Sequence, residues 1–309
     1  MNISVEYKDT TGAIFNQTHR LTRLAFAKHL AIAGQGYAPC PQKLFRTLGM
    51  FLHYSYYLQR QAFYNNHFSR PPRALSDPTE QGQFSTLAGK AIADFLSKRI
   101  NQSLHTTNYE AVASKPLRGQ RPDLVAFTQT SQFTLEAKGR HQTNPGNMTK
   151  HKAQAASGNY PRNFSIASVS YNLFGQVTCK YHDPFNDNIQ YDNEMLQKIT
   201  KKYYAGLAQF LNRNYFDYQE FYFQGEEFYE VELSYRKFEK LFIDNSPYRY
   251  IGHFEVFDFF RPKLILPKNI NEYAENGITN TTRPFLFDIK NQDENTYIDN
   301  DRVGLRIKQ

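Results

Sequence analysis

The chain has no tryptophan and only two cysteines, Cys40 and Cys179, among its 309 residues. It has no CxxC pair or Cys/His cluster, so we expect neither a zinc site nor a disulfide framework. No apolar run approaches the roughly 20 residues that a membrane helix needs. The opening residues also lack the apolar core of a signal peptide. We therefore expect a cytoplasmic protein with reduced thiols and no membrane contact.

Aromatic residues and positive charge are abundant in the same sequence. There are 22 Tyr and 26 Phe, and the apolar fraction of 40% is enough for a buried core. This composition excludes a mainly disordered chain. Lys and Arg outnumber Asp and Glu by 37 to 29, which gives a formal net charge of +8. A basic balance favours a polyanionic partner, such as nucleic acid or an acidic membrane face.

Changes in apolar periodicity divide the chain into three expected sections. Residues 1–70 are predicted to be a helical N-terminal section, because apolar residues within 44–62 recur at helical spacing. Residues 71–185 are predicted to form a helix, three strands, a helix and two strands. Residues 186–309 combine a strong helix pattern with short apolar runs typical of strands. We expect this mixed α/β C-terminal section to serve substrate recognition or oligomerisation.

The middle section begins with clear helix signals. Asp77 fits an N-cap and Pro78 the first helical position. After this helix the pattern changes to period two, and we predict strands in "NYEAVASK" (Asn108–Lys115), "RPDLVAFT" and "FTLEAKGR". A basic, Ala-rich helix is predicted over Gly146–Ser157. Two more strands are predicted in "NFSIASVSYNL" and "GQVTCKYHD".

The stretch from Arg121 to Arg140, "RPDLVAFTQTSQFTLEAKGR", carries charges inside two predicted strands. Alternate side chains of a strand share a face, so Glu136 and Lys138 are neighbours, about 6–7 Å apart along the strand. Asp123 opens the preceding strand. A hairpin between the two strands would bring Asp123 close to Glu136.

Two carboxylates placed like those of Asp123 and Glu136 repel each other unless a cation lies between them. Oxygen ligands in this arrangement suit Mg²⁺, with Mn²⁺ as the alternative. The ammonium of Lys138 beside them can orient a water molecule or neutralise charge on a phosphate. Phosphodiester hydrolysis needs these parts, so the pattern favours a nuclease.

Pro122-Asp123, twelve further residues and then Glu136-Ala137-Lys138 together resemble the motif of the PD-(D/E)xK nuclease superfamily, which has the restriction-endonuclease-like fold. The resemblance covers about residues 77–183. It includes the element order: a helix, a three-stranded meander, a helix and further strand. It implies a protein of the α+β or α/β class and a Mg²⁺-dependent endonuclease. In that family the Asp and Glu bind the metal and the Lys assists the attacking water. In this chain Asp123 and Glu136 would hold Mg²⁺, helped by the carbonyl of Ala137.

The resemblance also implies functional residues outside the motif. The helix that precedes the strands often adds a carboxylate, and Glu80 matches that place. Family members commonly carry a basic or Gln-bearing helix towards the nucleic acid. The candidates for nucleic-acid contact are Lys150, Lys152, Gln154, Arg121 and Arg140. In the RecB-like branch a Tyr follows the Gln by four residues, but Gly158 stands there, so membership of that branch is not expected.

Each of these residues also has an ordinary structural interpretation. Glu136 and Lys138 would then form a surface ion pair worth about 0–1 kcal/mol. Glu80 would complete a capping box at the start of its helix. Lys150 and Lys152 would lie on a solvated helix face.

The favoured interpretation is a metal-dependent nuclease with DNA as substrate. A homodimer is expected if it cuts both strands of a duplex, and a partner ATPase and a role in restriction or anti-phage defence are suggested by analogy. One alternative is a nucleic-acid-binding protein with the same fold that does not cut. Another is an interaction protein in which the motif is accidental. The triplets Glu6-Tyr7-Lys8 and Asp288-Ile289-Lys290 have the same acidic-x-Lys form but lack an upstream Pro-Asp strand.

Overall fold

The computed structural model describes residues 1–34, 36, 49–72, 77–113, 117–183, 193–212, 216–234, 261–277 and 293–307. These residues form two compact units, and the division falls between Leu196 and Gln197. The first unit contains the described residues up to Leu196, and the second contains those from Gln197 onward. The protein is a mixed α and β structure, as expected from the sequence.

Seven strands form one mixed sheet in the first unit, in the order β2-β1-β7-β6-β5-β4-β3. The strands are β1 (Asn2–Lys8), β2 (Ile14–Arg20), β3 (His105–Asn108), β4 (Leu124–Phe127), β5 (Gln132–Gly139), β6 (Phe164–Tyr171) and β7 (Thr178–His182). Neighbouring strands are antiparallel except β1 with β7 and β5 with β6, which are parallel. The predicted strands β4 to β7 are thus confirmed.

The helices of the described residues are α1 (Arg23–Ile32), α2 (Arg60–Tyr64), α3 (Pro78–Ile100), α4 (Tyr109–Val112), α5 (Met148–Ala155), α6 (Asn193–Ala208) and α7 (Ile270–Asn276). Residues 49–53 are also helical. Helix α3 begins as predicted, because the Asp77 side chain accepts a hydrogen bond from the Thr79 N–H at 2.8 Å and Pro78 takes the first position. Its apolar stripe, including Phe84 and Phe95, is buried.

Helices α3 and α5 pack on opposite faces of strand β5. Gly139 of β5 lies so close to α3 that a Cβ there would be 1.8 Å from the Ser85 carbonyl oxygen. On the other face, Thr134 donates a hydrogen bond to the carbonyl of Ala155 in α5 at 2.7 Å. Side chains alternate along a strand, so Glu136 lies on the α5 side, with Thr134. Helix α5 connects β5 to its parallel neighbour β6.

Two sequence predictions for the first unit are wrong. The N-terminal section is not a separate helical section, since β1 and β2 belong to the same sheet as β3 to β7. The first strand of the meander lies upstream of the predicted Asn108–Lys115, because β3 ends at Asn108. The Asn108 side chain accepts a hydrogen bond from the Glu110 N–H at 2.8 Å and so starts helix α4. This local capping bond ends the strand.

The second unit contains a five-stranded antiparallel sheet in the order β11-β12-β10-β9-β8. Its strands are β8 (Phe216–Phe223), β9 (Glu226–Leu233), β10 (Lys263–Pro267), β11 (Thr296–Ile298) and β12 (Gly304–Arg306). Phe228, Ile265 and Ile298 form the centre of its core. One of the short strand-like runs of the C-terminal section, "PFLFDIK" (284–290), lies outside the described residues, as does the predicted section boundary at residues 185 and 186.

Among the residues that the structure describes, no helix combines the length and the apolar character needed to cross a membrane.

Candidate active site

Asp123 is fixed by backbone hydrogen bonds immediately before strand β4. Its N–H donates to the carbonyl of Leu135 in β5 at 3.0 Å, and its own carbonyl accepts from the Tyr109 N–H at 3.1 Å. The antiparallel pairing of β4 with β5 places Leu124 opposite Leu135. The pairing that the sequence predicted for these two strands therefore holds Asp123 beside the second half of β5.

The three residues of the motif converge on one side of the sheet. The Ala137 N–H donates to Oδ2 of Asp123 at 3.1 Å. The Lys138 Nζ lies 3.7 Å from the same oxygen and forms an ion pair with Oε1 of Glu136. The Glu136 side chain is fully buried, whereas those of Asp123 and Lys138 are 20% and 35% exposed. Solvent therefore reaches the site past Asp123 and Lys138.

Glu136 is held in an electrostatically unfavourable position. Burial raises the pKa of its carboxyl to about 7, and the nearby charge of Asp123 acts in the same direction against the opposing effect of Lys138. Apart from the Lys138 ammonium at Oε1, no donor among the described residues reaches its buried carboxyl oxygens. Burial alone would lower the pKa of Lys138, but its pairing with Glu136 and Asp123 outweighs burial and raises it. Lys138 is therefore protonated in this arrangement.

A second lysine, which the sequence analysis missed, completes the site. The Nζ of Lys90 in helix α3 lies 3.1 Å from Oδ1 of Asp123. The family resemblance implies a carboxylate on this helix, not a lysine. Nothing in the spacing of Lys90 to the motif reveals the contact, because Lys90 and Asp123 are joined only by the packing of α3 on the sheet.

Glu80, the predicted additional carboxylate, lies in a different environment. Tyr57 is buried, and burial together with the neighbouring Glu80 charge raises the pKa of the Tyr57 hydroxyl to about 12. Glu80 precedes Lys90 by ten residues, which corresponds to about 15 Å along a helix axis. None of the hydrogen bonds and ion pairs found in the described chain joins Glu80 to the motif residues.

Several residues predicted to contact nucleic acid lie around the site. Arg140 follows β5, and its Nη2 lies 3.1 Å from Nε2 of His151 in α5. Burial and then the charge of Arg140 lower the pKa of His151, so the imidazole is neutral and accepts this bond. Lys150 is exposed. The Gln154 side chain donates to the Arg121 carbonyl at 3.2 Å, which links α5 to the segment before Asp123.

Two of the residues predicted to contact nucleic acid are paired with other groups of the protein. Lys152 is buried, and its ammonium binds the carbonyl and hydroxyl oxygens of Ser165 and lies 3.3 Å from Asp183. Lys152 therefore stabilises the packing of α5 on the sheet, and its prediction as a nucleic-acid contact is wrong. The Arg121 Nε donates to Glu110 at 2.8 Å on the surface, so its charge is partly neutralised.

The two other acidic-x-Lys triplets do not form a comparable site in the described chain. Glu6 pairs with Lys180 at 3.0 Å and with His182 at 2.9 Å, both on strand β7. No second carboxylate takes part in these ion pairs of Glu6. Asp288-Ile289-Lys290 lies outside the described residues. Among the described residues, Glu136-Ala137-Lys138 is thus the acidic-x-Lys triplet that lies beside a second carboxylate, that of Asp123.

The donor set fits a divalent cation. In the part of the chain that the structure describes, no three His, Cys, Asp or Glu side chains cluster as a protein-only metal site. Mg²⁺, however, is commonly bound by one or two carboxylates together with substrate phosphates. The buried Glu136 oxygens have the Lys138 ammonium at Oε1 as their one donor among the described residues, which leaves Oε2 available to a cation. The Ala137 N–H faces Asp123, and because both backbone groups of a strand residue point to the same side, its carbonyl faces Asp123 too.

No protein-family model matches the chain, and neither a curated protein nor a solved structure matches it.

Proposed function

We propose that the chain is a metal-dependent nuclease of the PD-(D/E)xK type that hydrolyses phosphodiester bonds, with DNA as the favoured substrate. The observation that carries the proposal is the meeting of Asp123, Glu136 and Lys138 on one side of the sheet. Strand alternation alone requires only that Glu136 and Lys138 be neighbours. That the Asp123 carboxylate joins them is an independent result of strand pairing.

The arrangement of elements around the site supports the same proposal. Helix α3 precedes the antiparallel meander β3-β4-β5, and α5 then leads to β6, parallel to β5. This is the element order that the resemblance to the restriction-endonuclease-like fold implies. Strands β1 and β2 extend the sheet beyond β7, so the proposed core is embedded in a larger sheet.

Within this proposal, the carboxylates of Asp123 and Glu136 and the carbonyl of Ala137 would hold Mg²⁺, or Mn²⁺ in its place. The bound cation would polarise the phosphate and activate water. It would also relieve the repulsion between the two carboxyl groups, which adds to the effect of burial in raising the pKa of Glu136. The strained state of Glu136 is consistent with a functional site, where perturbed pKa values are common.

Lys138 would act as a cationic group rather than as a base. The two carboxyl groups keep its ammonium protonated. A protonated lysine 3.7 Å from Asp123 is placed to orient the attacking water and to neutralise negative charge that develops on the phosphate. Arg140 and Lys150 would contact neighbouring phosphates, where they position the substrate without reading its sequence.

The test is cleavage of plasmid DNA by the purified protein with Mg²⁺, with EDTA as the metal-free control. We expect Lys138→Ala to lower the cleavage rate by about 10²- to 10³-fold, the usual cost of removing one transition-state donor. Lys201→Met, at an exposed lysine of the second unit, controls for the lost charge. Mg²⁺-independent cleavage, or full activity in Lys138→Ala, would contradict the proposed roles.

The second candidate is a nucleic-acid-binding protein that does not cut. It is favoured by the observation that two ammonium groups, from Lys90 and Lys138, already lie against the acids. Such a protein would bind DNA without a need for Mn²⁺, and calorimetric titration with Mn²⁺ would give no heat of binding. A homodimer, a partner ATPase and a role in restriction or anti-phage defence belong to the nuclease proposal as further expectations.

A further inference from the structure

Both carboxylate oxygens of Asp123 are already engaged by the protein. Oδ2 accepts the Ala137 N–H at 3.1 Å and lies 3.7 Å from Lys138. Oδ1 lies 3.1 Å from the ammonium of Lys90. Each carboxylate oxygen can accept more than one partner, but a divalent cation on Oδ1 would lie close to the Lys90 ammonium and be repelled by it.

Lys90 reaches the site from outside the motif. It belongs to α3, which packs on the face of β5 opposite Glu136, and its ammonium reaches Asp123 immediately before β4. The stem of Lys90 lies against Gly34, since a Cβ at Gly34 would be 3.5 Å from the Lys90 Cδ. The side chain of Lys90 is 23% exposed. The ammonium is therefore close enough to solvent to change partner while its stem stays packed.

We infer that Lys90 competes with the divalent cation for Asp123 and transfers to the substrate phosphate when the cation binds. The inference rests on the proposed nuclease function. A cation and an ammonium that share one carboxylate oxygen repel each other, so binding of the cation displaces Lys90. The phosphodiester of the substrate would then offer the Lys90 ammonium a new negative charge to neutralise.

This exchange couples cation binding to substrate binding. Without nucleic acid, Lys90 weakens the affinity of the site for the cation. With a phosphodiester present, Lys90 has an alternative partner, so the cation binds more tightly. The coupling is reciprocal, because each ligand must strengthen the other by the same factor. The acids of Asp123 and Glu136 would thus be ready for a cation mainly when substrate is bound.

The experiment is calorimetric titration of the full chain with Mn²⁺, without nucleic acid. In Lys90→Met, which keeps the packed stem but removes the charge, we expect Mn²⁺ to bind about three- to fivefold more tightly, as expected for loss of a partly exposed ion pair. Lys90→Arg keeps the cation and should match the wild type. Lys201→Met, an equal charge change on α6 in the second unit, should have no effect.

A second measurement tests whether Lys90, besides repelling the cation, contacts the substrate phosphate. At saturating Mg²⁺, Lys90→Met should cleave DNA more slowly than the wild type despite its tighter metal binding, because the phosphate has lost a contact. Unchanged or weaker Mn²⁺ affinity in Lys90→Met would overturn the inference and leave the nuclease proposal intact. Equal cleavage rates would overturn the phosphate transfer.

Two controls test whether a change in Mn²⁺ affinity comes from the lost charge of Lys90 and not from misfolding. Circular dichroism and thermal unfolding establish that Lys90→Met is folded, and Lys90→Gln is a second neutral variant for which the same tightening is expected. If neither the wild type nor Lys90→Met binds Mn²⁺, the inference and the nuclease proposal both fail. If only Lys90→Met binds Mn²⁺, the competition is supported.

Discussion

The two units each contain a buried glutamate next to a lysine, and the two glutamates are held in opposite ways. Glu230 on β9 accepts hydrogen bonds from Lys263 and Gln219 at 2.7 Å and from Arg306 at 2.8 Å. Burial alone would raise its pKa, but these bonds outweigh burial and lower it. Glu136 on β5 has Lys138 as its one donor among the described residues, and burial together with the Asp123 charge raises its pKa.

This difference separates a structural acid from one that fits a functional site. Native proteins satisfy nearly all their buried polar groups, and Glu230 follows that rule. Glu136 departs from it, because one ammonium is its single donor in the described chain, and burying a carboxylate beside a second carboxylate costs stability. Such a cost is typical of sites that bind a ligand or carry out a reaction. The comparison therefore supports a ligand for Glu136, and a cation is the ligand that its oxygens and Asp123 suit.

The largest expected effect comes from Asp123→Ala. We expect this variant to lose both Mn²⁺ binding in calorimetry and plasmid cleavage, because one carboxylate alone is a poor site for a divalent cation. Glu230→Ala is the matched control, which removes a buried carboxylate of the second unit and should keep Mn²⁺ binding. Retained Mn²⁺ binding in Asp123→Ala would show that the cation binds elsewhere.

Glu230→Ala should instead affect stability. Removing the acid leaves Lys263 and Arg306 without their shared partner, which we expect to lower the free energy of unfolding by about 2–3 kcal/mol. Urea denaturation followed by tyrosine fluorescence measures the change. If the free energy of unfolding falls by less than about 0.5 kcal/mol, as is usual for a substitution at an ordinary surface position, Glu230 does not stabilise the second unit.

Glu136→Gln should change the pH dependence of stability. Burial and the Asp123 charge raise the pKa of Glu136 in the folded state to about 7, above its ordinary value of 4.5. The folded state therefore binds more protons, and wild-type stability falls as pH rises from about 4.5 to about 7. The variant removes this fall, and at pH 8 we expect it to be more stable than the wild type by roughly 1–2 kcal/mol. Thermal unfolding from pH 4 to 8 tests this; parallel curves would contradict it.

Arg140→Met should give the smallest effect. We expect weaker DNA binding and a decrease of about 1 in the slope of log affinity against log salt, as for one lost phosphate contact. Fluorescence anisotropy in Ca²⁺ at several salt concentrations measures the slope. Lys152→Met is the control, because the buried Lys152 should contribute to stability but not to the salt slope. Equal slopes in the wild type and Arg140→Met would remove Arg140 from the interface.

Much of the first unit could be predicted because its signals are local. The cap at Asp77, the periodicity of α3 and the alternation in β5 depend on residues within a few positions of each other. The same local reasoning failed at β3, where the capping bond of Asn108 overrode a strand-like pattern. It also failed for the N-terminal residues, because pairing of β1 with the distant β7 gives no local sign in either segment.

The sequence by itself determined that Glu136 and Lys138 share a face, because side chains alternate along any strand. Only the tertiary structure decided what surrounds them. It brought Lys90 to Asp123, placed Glu80 beside Tyr57 and buried Lys152 against Asp183. Each of these contacts joins segments far apart in the chain, and their formation depends on how helices pack on the sheet. The spacing of these residues along the sequence does not predict that packing.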